Sequence, residues 1–174
     1  MKLFHLSDLH IGKRVNEFSM IEDQKYILKR ILDLAEEEKP DGIILAGDIY
    51  DKQIPSAEAV QVFDEFITRL AGRAIPVFII SGNHDSAERL AFGGRLLNSR
   101  GIYLSPVYDG SVTKIPLKDQ YGTVWIHLLP FIRPSTVRHV FENEADLVTD
   151  VQTAAETVIR HMEIDLKDRN ILVA

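Results

Sequence analysis

Three short segments of this chain concentrate side chains that can bind a metal ion. They are Ser7-Asp8-Leu9-His10, Gly47-Asp48-Ile49-Tyr50-Asp51 and Ser81-Gly82-Asn83-His84-Asp85. Carboxylate and amide oxygens together with imidazole nitrogens form ligand sets for divalent cations. Because the chain contains no cysteine, thiolate sites and disulfides are excluded. Any metal must therefore be held by oxygen and imidazole nitrogen.

The first two segments place their ligands where the backbone can present them to an ion. Asp8 and His10 are two residues apart, so in an extended backbone both side chains point to the same side and can reach one cation. Gly47 lacks a Cβ and allows a tight exit from a strand before Asp48. Either segment alone also fits an ordinary turn, in which the carboxylate binds the local backbone.

The third segment is more specific, because it packs three chemical types into one turn. Asn83 offers a neutral oxygen, His84 a titratable imidazole, and Asp85 a carboxylate that can orient that imidazole. A capped turn with an incidental histidine is the ordinary alternative. Three such segments, each directly after an apolar run, favour one shared metal site over three unrelated turns.

The apolar runs before these segments predict the strands that position them. The runs are Leu3–Leu6, Ile43–Ala46 and Val77–Ile80. Each run is too short for a helix, whereas the stretches between them carry apolar residues at helical spacing. One helix is predicted around Ile27–Ala35 and a second around Val60–Leu70, after the start signal Pro55-Ser56. In such an α/β domain the carboxyl ends of neighbouring strands meet at one crevice, which would unite the three segments.

The later part of the chain predicts an antiparallel excursion, and therefore a mixed β-sheet core flanked by helices. Asp109-Gly110 and Tyr121-Gly122 are turn candidates ahead of the strand-like run 124–129. Thr149 and Gln152 have the spacing of a capping box, which predicts a further helix directly after them.

Composition indicates one compact domain over residues 1–174, with 45% hydrophobic and 26% charged residues. The chain ends inside a strand-like run, residues 171–174, so we expect the natural protein to continue beyond it.

The first residues do not resemble a signal peptide, and no run approaches the ~20 apolar residues of a membrane-spanning helix. We therefore expect a cytoplasmic protein with no membrane partner. The net charge of −6 disfavours a broad basic face for nucleic acid.

The patterns Asp-x-His, Gly-Asp-x-x-Asp and Gly-Asn-His-Asp, in this order, resemble the opening motifs of calcineurin-like metallophosphoesterases. The segments Phe4–Gly12, Ile54-Pro55-Ser56 and Leu128–Phe131 extend the resemblance to the Mre-type DNA-repair nucleases of that superfamily. It covers essentially the whole chain. The resemblance implies that the fold is a four-layer αββα sandwich, incomplete here. It also implies that residues 1–174 are a metallophosphoesterase domain truncated before its last metal-binding loops.

The same resemblance implies a site for two divalent ions, with manganese expected and magnesium as the alternative. Carried over by motif, Asp8 and His10 would bind the first ion. Asp48 would bridge both ions, and Asn83 would bind the second. Two ions held in this way can bind phosphate oxygens, activate water and stabilise the charge that develops during in-line displacement.

His84 would be the general acid that protonates the leaving oxygen, with Asp85 fixing its orientation and favouring its cationic form. The resemblance places further ligand histidines in later loops, the first of them just after a strand like residues 171–174. The other histidines of the chain lie in predicted strands or helices and are not expected to be ligands. They are His5, His127, His139 and His161.

The resemblance further implies a nuclease that cleaves phosphodiester bonds at DNA ends and hairpins in double-strand break processing, repair and recombination. It implies a coiled-coil ATPase partner and a homodimer within a heterotetramer. Two alternatives stay open: a phosphatase or phosphodiesterase for another substrate class, and a non-catalytic scaffold with the same fold. Residues 1–174 alone, with part of the site missing, are expected to be inactive.

Overall fold

A computed structural model describes all residues of the chain, which fold into strands and helices that alternate through the first half. The strands are β1 (Leu3–Leu6), β2 (Arg14–Val15), β3 (Phe18–Ser19), β4 (Gly42–Ala46), β5 (Val77–Ile80), β6 (Ile102–Leu104), β7 (Thr113–Asp119), β8 (Gly122–Leu128) and β9 (Arg169–Val173). The helices are α1 (Ile21–Glu38), α2 (Ala57–Ala71), α3 (Ala87–Leu90), α4 (Gly94–Asn98), α5 (Pro134–Val140) and α6 (Val151–His161), with a 3₁₀ helix at Glu142–Leu147.

The first sheet is parallel throughout, in the order β1-β4-β5-β6. Its central strands are buried on both faces, which explains why β4 and β5 are continuous apolar runs. Parallel neighbours require long crossover connections, and α1 and α2 supply two of them. One face of the sheet packs on these helices, with Leu45 and Ile79 against Leu32 and Phe66 in the same core.

The opposite face of the first sheet packs on a second sheet. This sheet has the order β7-β8-β9, with β7 antiparallel and β9 parallel to the central β8. Ile44 and Phe78 from the first sheet share a core with Ile126 and Leu128 from the second. A third core lies under α5 and α6, where Val137 and Val158 pack together. The expected α/β architecture, with a sheet core flanked by helices, is confirmed.

The buried carboxylate of Asp119, at the end of β7, links the three strands of the second sheet at the point where β8 and β9 begin. Arg169 at the start of β9 donates to both oxygens of Asp119, at 2.6 and 3.1 Å, and also to the Gly122 carbonyl at 2.9 Å. The N-terminal amine of Met1 lies 3.6 Å from the same carboxylate. The Arg169 guanidinium holds the pKa of Asp119 well below its usual range, so this link between β7, β8 and β9 is present throughout neutral pH.

The two sheets, one parallel and one mixed, supply the two β layers of the expected αββα sandwich, because the β7–β8 hairpin folds across the parallel sheet and does not join its edge. One detail differs from the sequence prediction. The capping box of α6 is formed by Asp150 and Thr153, one residue later than the predicted Thr149 and Gln152. Asp150 is the N-cap residue, because its carboxylate accepts the Thr153 amide at 2.8 Å while the Thr153 hydroxyl accepts the Asp150 amide. No helix is both long and apolar enough to cross a bilayer.

Candidate metal centre

The three ligand segments lie side by side at the carboxyl ends of β1, β4 and β5. Backbone pairing continues past the strands, since the amides of Asp8, His10 and Ile11 donate to carbonyls of the loop after β4. Those carbonyls belong to Gly47, Asp48 and Ile49, at 3.3, 2.9 and 2.9 Å. The loops are thus held against each other by main-chain hydrogen bonds, as the order of neighbouring parallel strands predicts.

His10, Asp48 and His84 form the one group in the chain whose carboxylate and imidazole donor atoms could surround a metal ion. Their ligand atoms all lie within 4.8 Å of one another. His10 Nε2 lies 3.7 Å from Asp48 Oδ2 and 3.8 Å from Asp8 Oδ1. The rings of His10 and His84 meet edge to face with centroids 4.8 Å apart. One residue from each predicted segment therefore contributes to the group.

The donor set fits a divalent cation. Three carboxylates surround the His10 imidazole, because Asp51 Oδ1 lies 3.7 Å from His10 Nδ1 on the side away from Asp8 and Asp48. That Nδ1 is buried and has no hydrogen-bond partner. A metal-ligating histidine commonly directs its second ring nitrogen at a carboxylate, which is the arrangement that Asp51 offers here. Negative charge concentrated around an imidazole is the environment that a cation stabilises.

Asp48 is the most buried residue of the group. Its side chain is buried, and Oδ1 accepts the His84 amide at 2.9 Å while Oδ2 faces His10. The residue adopts a left-handed backbone with φ of 49°, directly after Gly47 with φ of 84°. This conformation is uncommon for a residue with a Cβ and persists where surrounding structure imposes it. Here it turns the carboxylate from the end of β4 towards the other two loops.

The close approach of Gly82 to Asp48 explains why the third segment contains glycine at this position. A Cβ at this position would lie 2.1 Å from Asp48 Oδ1 and 2.3 Å from the Asp48 amide nitrogen. No side chain can occupy that space, so the loop after β5 reaches the Asp48 carboxylate only because residue 82 has none. The glycine therefore sets the distance between two of the ligand loops.

Asp85 does not contact the His84 ring, which corrects the predicted orienting contact between them. The buried Asp85 carboxylate accepts three backbone amides instead: Gly82 at 2.8 Å, Tyr50 at 2.9 Å and Ile49 at 3.1 Å. Charge burial is costly unless such donors satisfy the oxygens, and two loops supply them. Asp85 thus fastens the loop after β4 to the loop after β5.

The His84 ring is oriented by Asp51, a residue to which sequence reasoning gave no role. His84 Nδ1 lies 3.1 Å from the Asp51 carbonyl oxygen, which requires the protonated nitrogen at Nδ1 and leaves Nε2 free. The exposed side chain of His84 is accessible to a bound substrate. The spacing Gly-Asp-x-x-Asp contains the signal for Asp51, but the sequence does not reveal that its carbonyl is the contacting group.

The remaining predicted ligands lie at the rim of the site. Asp8 is 69% exposed at its side chain and approaches the group only through His10. Asn83 is exposed and lines a cavity of about 320 Å³ together with Phe131 and Arg133. Neither residue belongs to the three-residue group, and their roles as metal ligands stay predictions.

The other histidines lie outside the group, as the sequence indicated. His127 is buried in β8, and its Nε2 lies 2.9 Å from Asn170 Oδ1. His161 at the end of α6 stacks on Phe141 and pairs with Glu144.

The Tyr50 phenol, in the loop after β4, is not an anionic ligand. Burial raises the pKa of Tyr50 to about 12, with the negative charge of Asp85 adding to the effect. The phenol is therefore neutral at physiological pH. The anionic oxygens near the group come from aspartates alone.

Comparison with known proteins places the three segments within a single family match. A family model described as calcineurin-like phosphoesterase matches residues 1–169. The chain is 35% identical over 176 aligned residues to a protein of Staphylococcus epidermidis that is named as a subunit of the nuclease SbcCD. The alignment covers 99% of this chain and 46% of that protein, so the chain spans less than half the length of this relative.

We expect Gly82→Ala to weaken metal binding, because the new methyl group must displace the Asp48 carboxylate or the loop after β5. Overpacking of this kind also lowers the free energy of unfolding by about 1–3 kcal/mol. Urea unfolding and manganese titration of the purified protein measure the two effects. Gly94→Ala is the matched control, since its Cβ would meet only Leu104 at an ordinary 3.7 Å. Equal manganese affinity and an equal free energy of unfolding in the two variants would contradict the close approach of Gly82 to Asp48.

Proposed function

The chain belongs to the calcineurin-like phosphoesterase family, and we propose that the protein containing it is a metal-dependent DNA nuclease that hydrolyses phosphodiester bonds. The observation that carries this proposal is the convergence of His10, Asp48 and His84 donor atoms within 4.8 Å. Membership of the family implies a hydrolase that uses divalent metal. The name of the Staphylococcus epidermidis relative supports the choice of a nuclease over other phosphoesterases.

The proposed ligand roles follow the family motif, whose residues lie on these three loops. Asp8 and His10 would hold a first ion, Asp48 would serve both ions, and Asn83 would hold the second from the rim. Manganese is proposed for both sites, with magnesium as the alternative, since carboxylate and amide oxygens suit these hard cations. When bound, two such ions would neutralise the phosphate oxygens and the charge that develops in an in-line displacement.

His84 is proposed as the general acid of the reaction. Its Nδ1 donates to the Asp51 carbonyl, so in the imidazolium form its Nε2 carries the second proton, which passes to the leaving sugar oxygen and leaves a neutral ring. Its backbone amide is bonded to Asp48, which fixes the acid relative to the proposed bridging ligand. Asp85 contributes by holding the two loops, so the catalytic role proposed for it is indirect.

The proposed substrate is duplex DNA, at its ends and at hairpins, in the processing of double-strand breaks for repair and recombination. The relative is named as part of SbcCD, which supports an SbcC-like coiled-coil ATPase as partner of the full protein. A homodimer within a heterotetramer and a cytoplasmic location complete the proposal. The net charge of −6 means that bound cations, and not a basic surface, would offset the repulsion of DNA by this domain.

Asp48→Asn in the full-length protein is expected to abolish manganese-dependent cleavage of DNA and to weaken manganese binding, because the amide cannot supply a bridging negative charge. Calorimetric titration and a nuclease assay measure the two losses. Asp64→Asn, on the exposed face of α2, is the matched control. Activity of Asp48→Asn within about tenfold of wild type would sink the two-ion proposal. The same assays on residues 1–174 alone are expected to give weak manganese binding and no cleavage.

His84→Gln is expected to lower kcat by about 10²-fold or more while DNA binding changes little, as loss of a general acid typically does. Glutamine preserves a polar side chain without a titratable proton. Single-turnover kinetics and a DNA-binding assay, both with the full-length protein, separate the two effects. A parallel loss of manganese affinity and turnover would instead make His84 a metal ligand, which the geometry of the three-residue group also permits.

Substrate choice is tested by comparing linear duplex DNA, a phosphopeptide and a generic phosphodiester under the same manganese concentration. We expect DNA to be cleaved, and faster after addition of the coiled-coil ATPase and ATP. Strong preference for the phosphopeptide with intact DNA would favour a phosphatase. Manganese binding without turnover of any of the three would favour a non-catalytic scaffold.

A further inference from the structure

Gln24 connects helix α1 to the loop that carries Asp8 and His10. It is the fourth residue of α1, and its side chain reaches back to the segment after β1. Its Nε2 donates to the His10 carbonyl at 2.7 Å and to the Leu9 carbonyl at 3.1 Å, and its Oε1 accepts the Gly12 amide at 2.9 Å. Both donors and the acceptor of one amide are thus committed to a single loop.

That loop contains three residues with left-handed backbone. Asp8, His10 and Gly12 have φ values of 55°, 42° and 91°, which alternate a left-handed residue with an ordinary one. Left-handed backbone is uncommon for residues other than glycine, although aspartate and histidine adopt it more often than most, and neighbouring structure helps to hold it. The contacts around the loop therefore help to fix the directions of both ligand side chains.

Two different elements hold the two edges of the loop. On one edge the amides of Asp8 and His10 bond to the loop after β4. On the other edge the carbonyls of Leu9 and His10 and the amide of Gly12 face α1, where the Gln24 amide is the side chain that binds them. The His10 ring makes no hydrogen bond at its buried Nδ1, so the hydrogen bonds that hold residue 10 on this edge are those of its backbone.

We infer that Gln24 is a positioning residue for the Asp8 and His10 ligand pair, and that it sets the affinity for the first metal ion. The inference rests on the proposed function of this site. Only a neutral amide fits the contacts. Glutamate would set a carboxylate against two carbonyl oxygens, and methionine would match the length but offer neither donors nor an acceptor of comparable strength.

The test compares Gln24→Met and Gln24→Glu with wild type in the full-length protein. Loss of an outer partner of a metal ligand typically weakens metal binding by about 10- to 100-fold, and we expect both variants to fall in that range in a calorimetric manganese titration. Gln61→Met, on the exposed face of α2, is the matched control and should bind manganese as wild type does. Wild-type affinity in either Gln24 variant would overturn the inference.

A second measurement separates this inference from the proposed function. Hydrogen exchange of the metal-free protein, followed by mass spectrometry, should be faster in Gln24→Met only over residues 8–13. Faster exchange across the whole sheet would show a general loss of stability and would overturn the positioning role, as would unchanged exchange over 8–13. If wild type binds no manganese, the proposed function fails, and the exchange result alone decides whether Gln24 positions the loop.

Discussion

The geometry of the candidate site depends on three hydrogen bonds accepted by one buried carboxylate. Asp85 receives the amides of Ile49 and Tyr50 from the loop after β4 and the amide of Gly82 from its own loop. If either loop moved away, a buried negative charge would lose donors, which is costly in the interior. The position of Asp48 relative to the third segment therefore follows from a residue that need not touch a metal or a substrate.

Much of the fold could be predicted because its signals are local. The continuous apolar run Val77–Ile80 is a strand with these bounds, since a run this apolar and too short for a helix is typical of a strand buried on both faces. The separation into two sheets followed only from the family resemblance and not from the local patterns, because it depends on how the β7–β8 hairpin packs over Phe78 and Ile80. Hairpin turns reveal that two strands pair, but not on which side of another sheet the pair will lie.

The candidate site could likewise be predicted only in part from the sequence. Motif spacing located Asp48 and His84, whose loops leave neighbouring strand ends, but it gave Asp85 the wrong contact and overlooked Asp51 and Gln24. Several carboxylates lie near His84 in sequence, but the group that meets the ring is the backbone carbonyl of Asp51, which only the three-dimensional path of the loops brings there. The contact made by Gln24 links residues that are 12 to 15 positions apart on different elements, so no short pattern contains it.

The parallel order of β1, β4 and β5 also makes the site a product of long-range folding. Its key bonds join residues 35 and 36 positions apart, and each needs a helical crossover to close first. Non-local pairing of this kind is slow, because the entropy of loop closure is lost before the contacts form. A ligand that binds only the folded state stabilises that state by mass action. An ion bound here would therefore stabilise the folded state after the three loops have come together, and it would not help to bring them together.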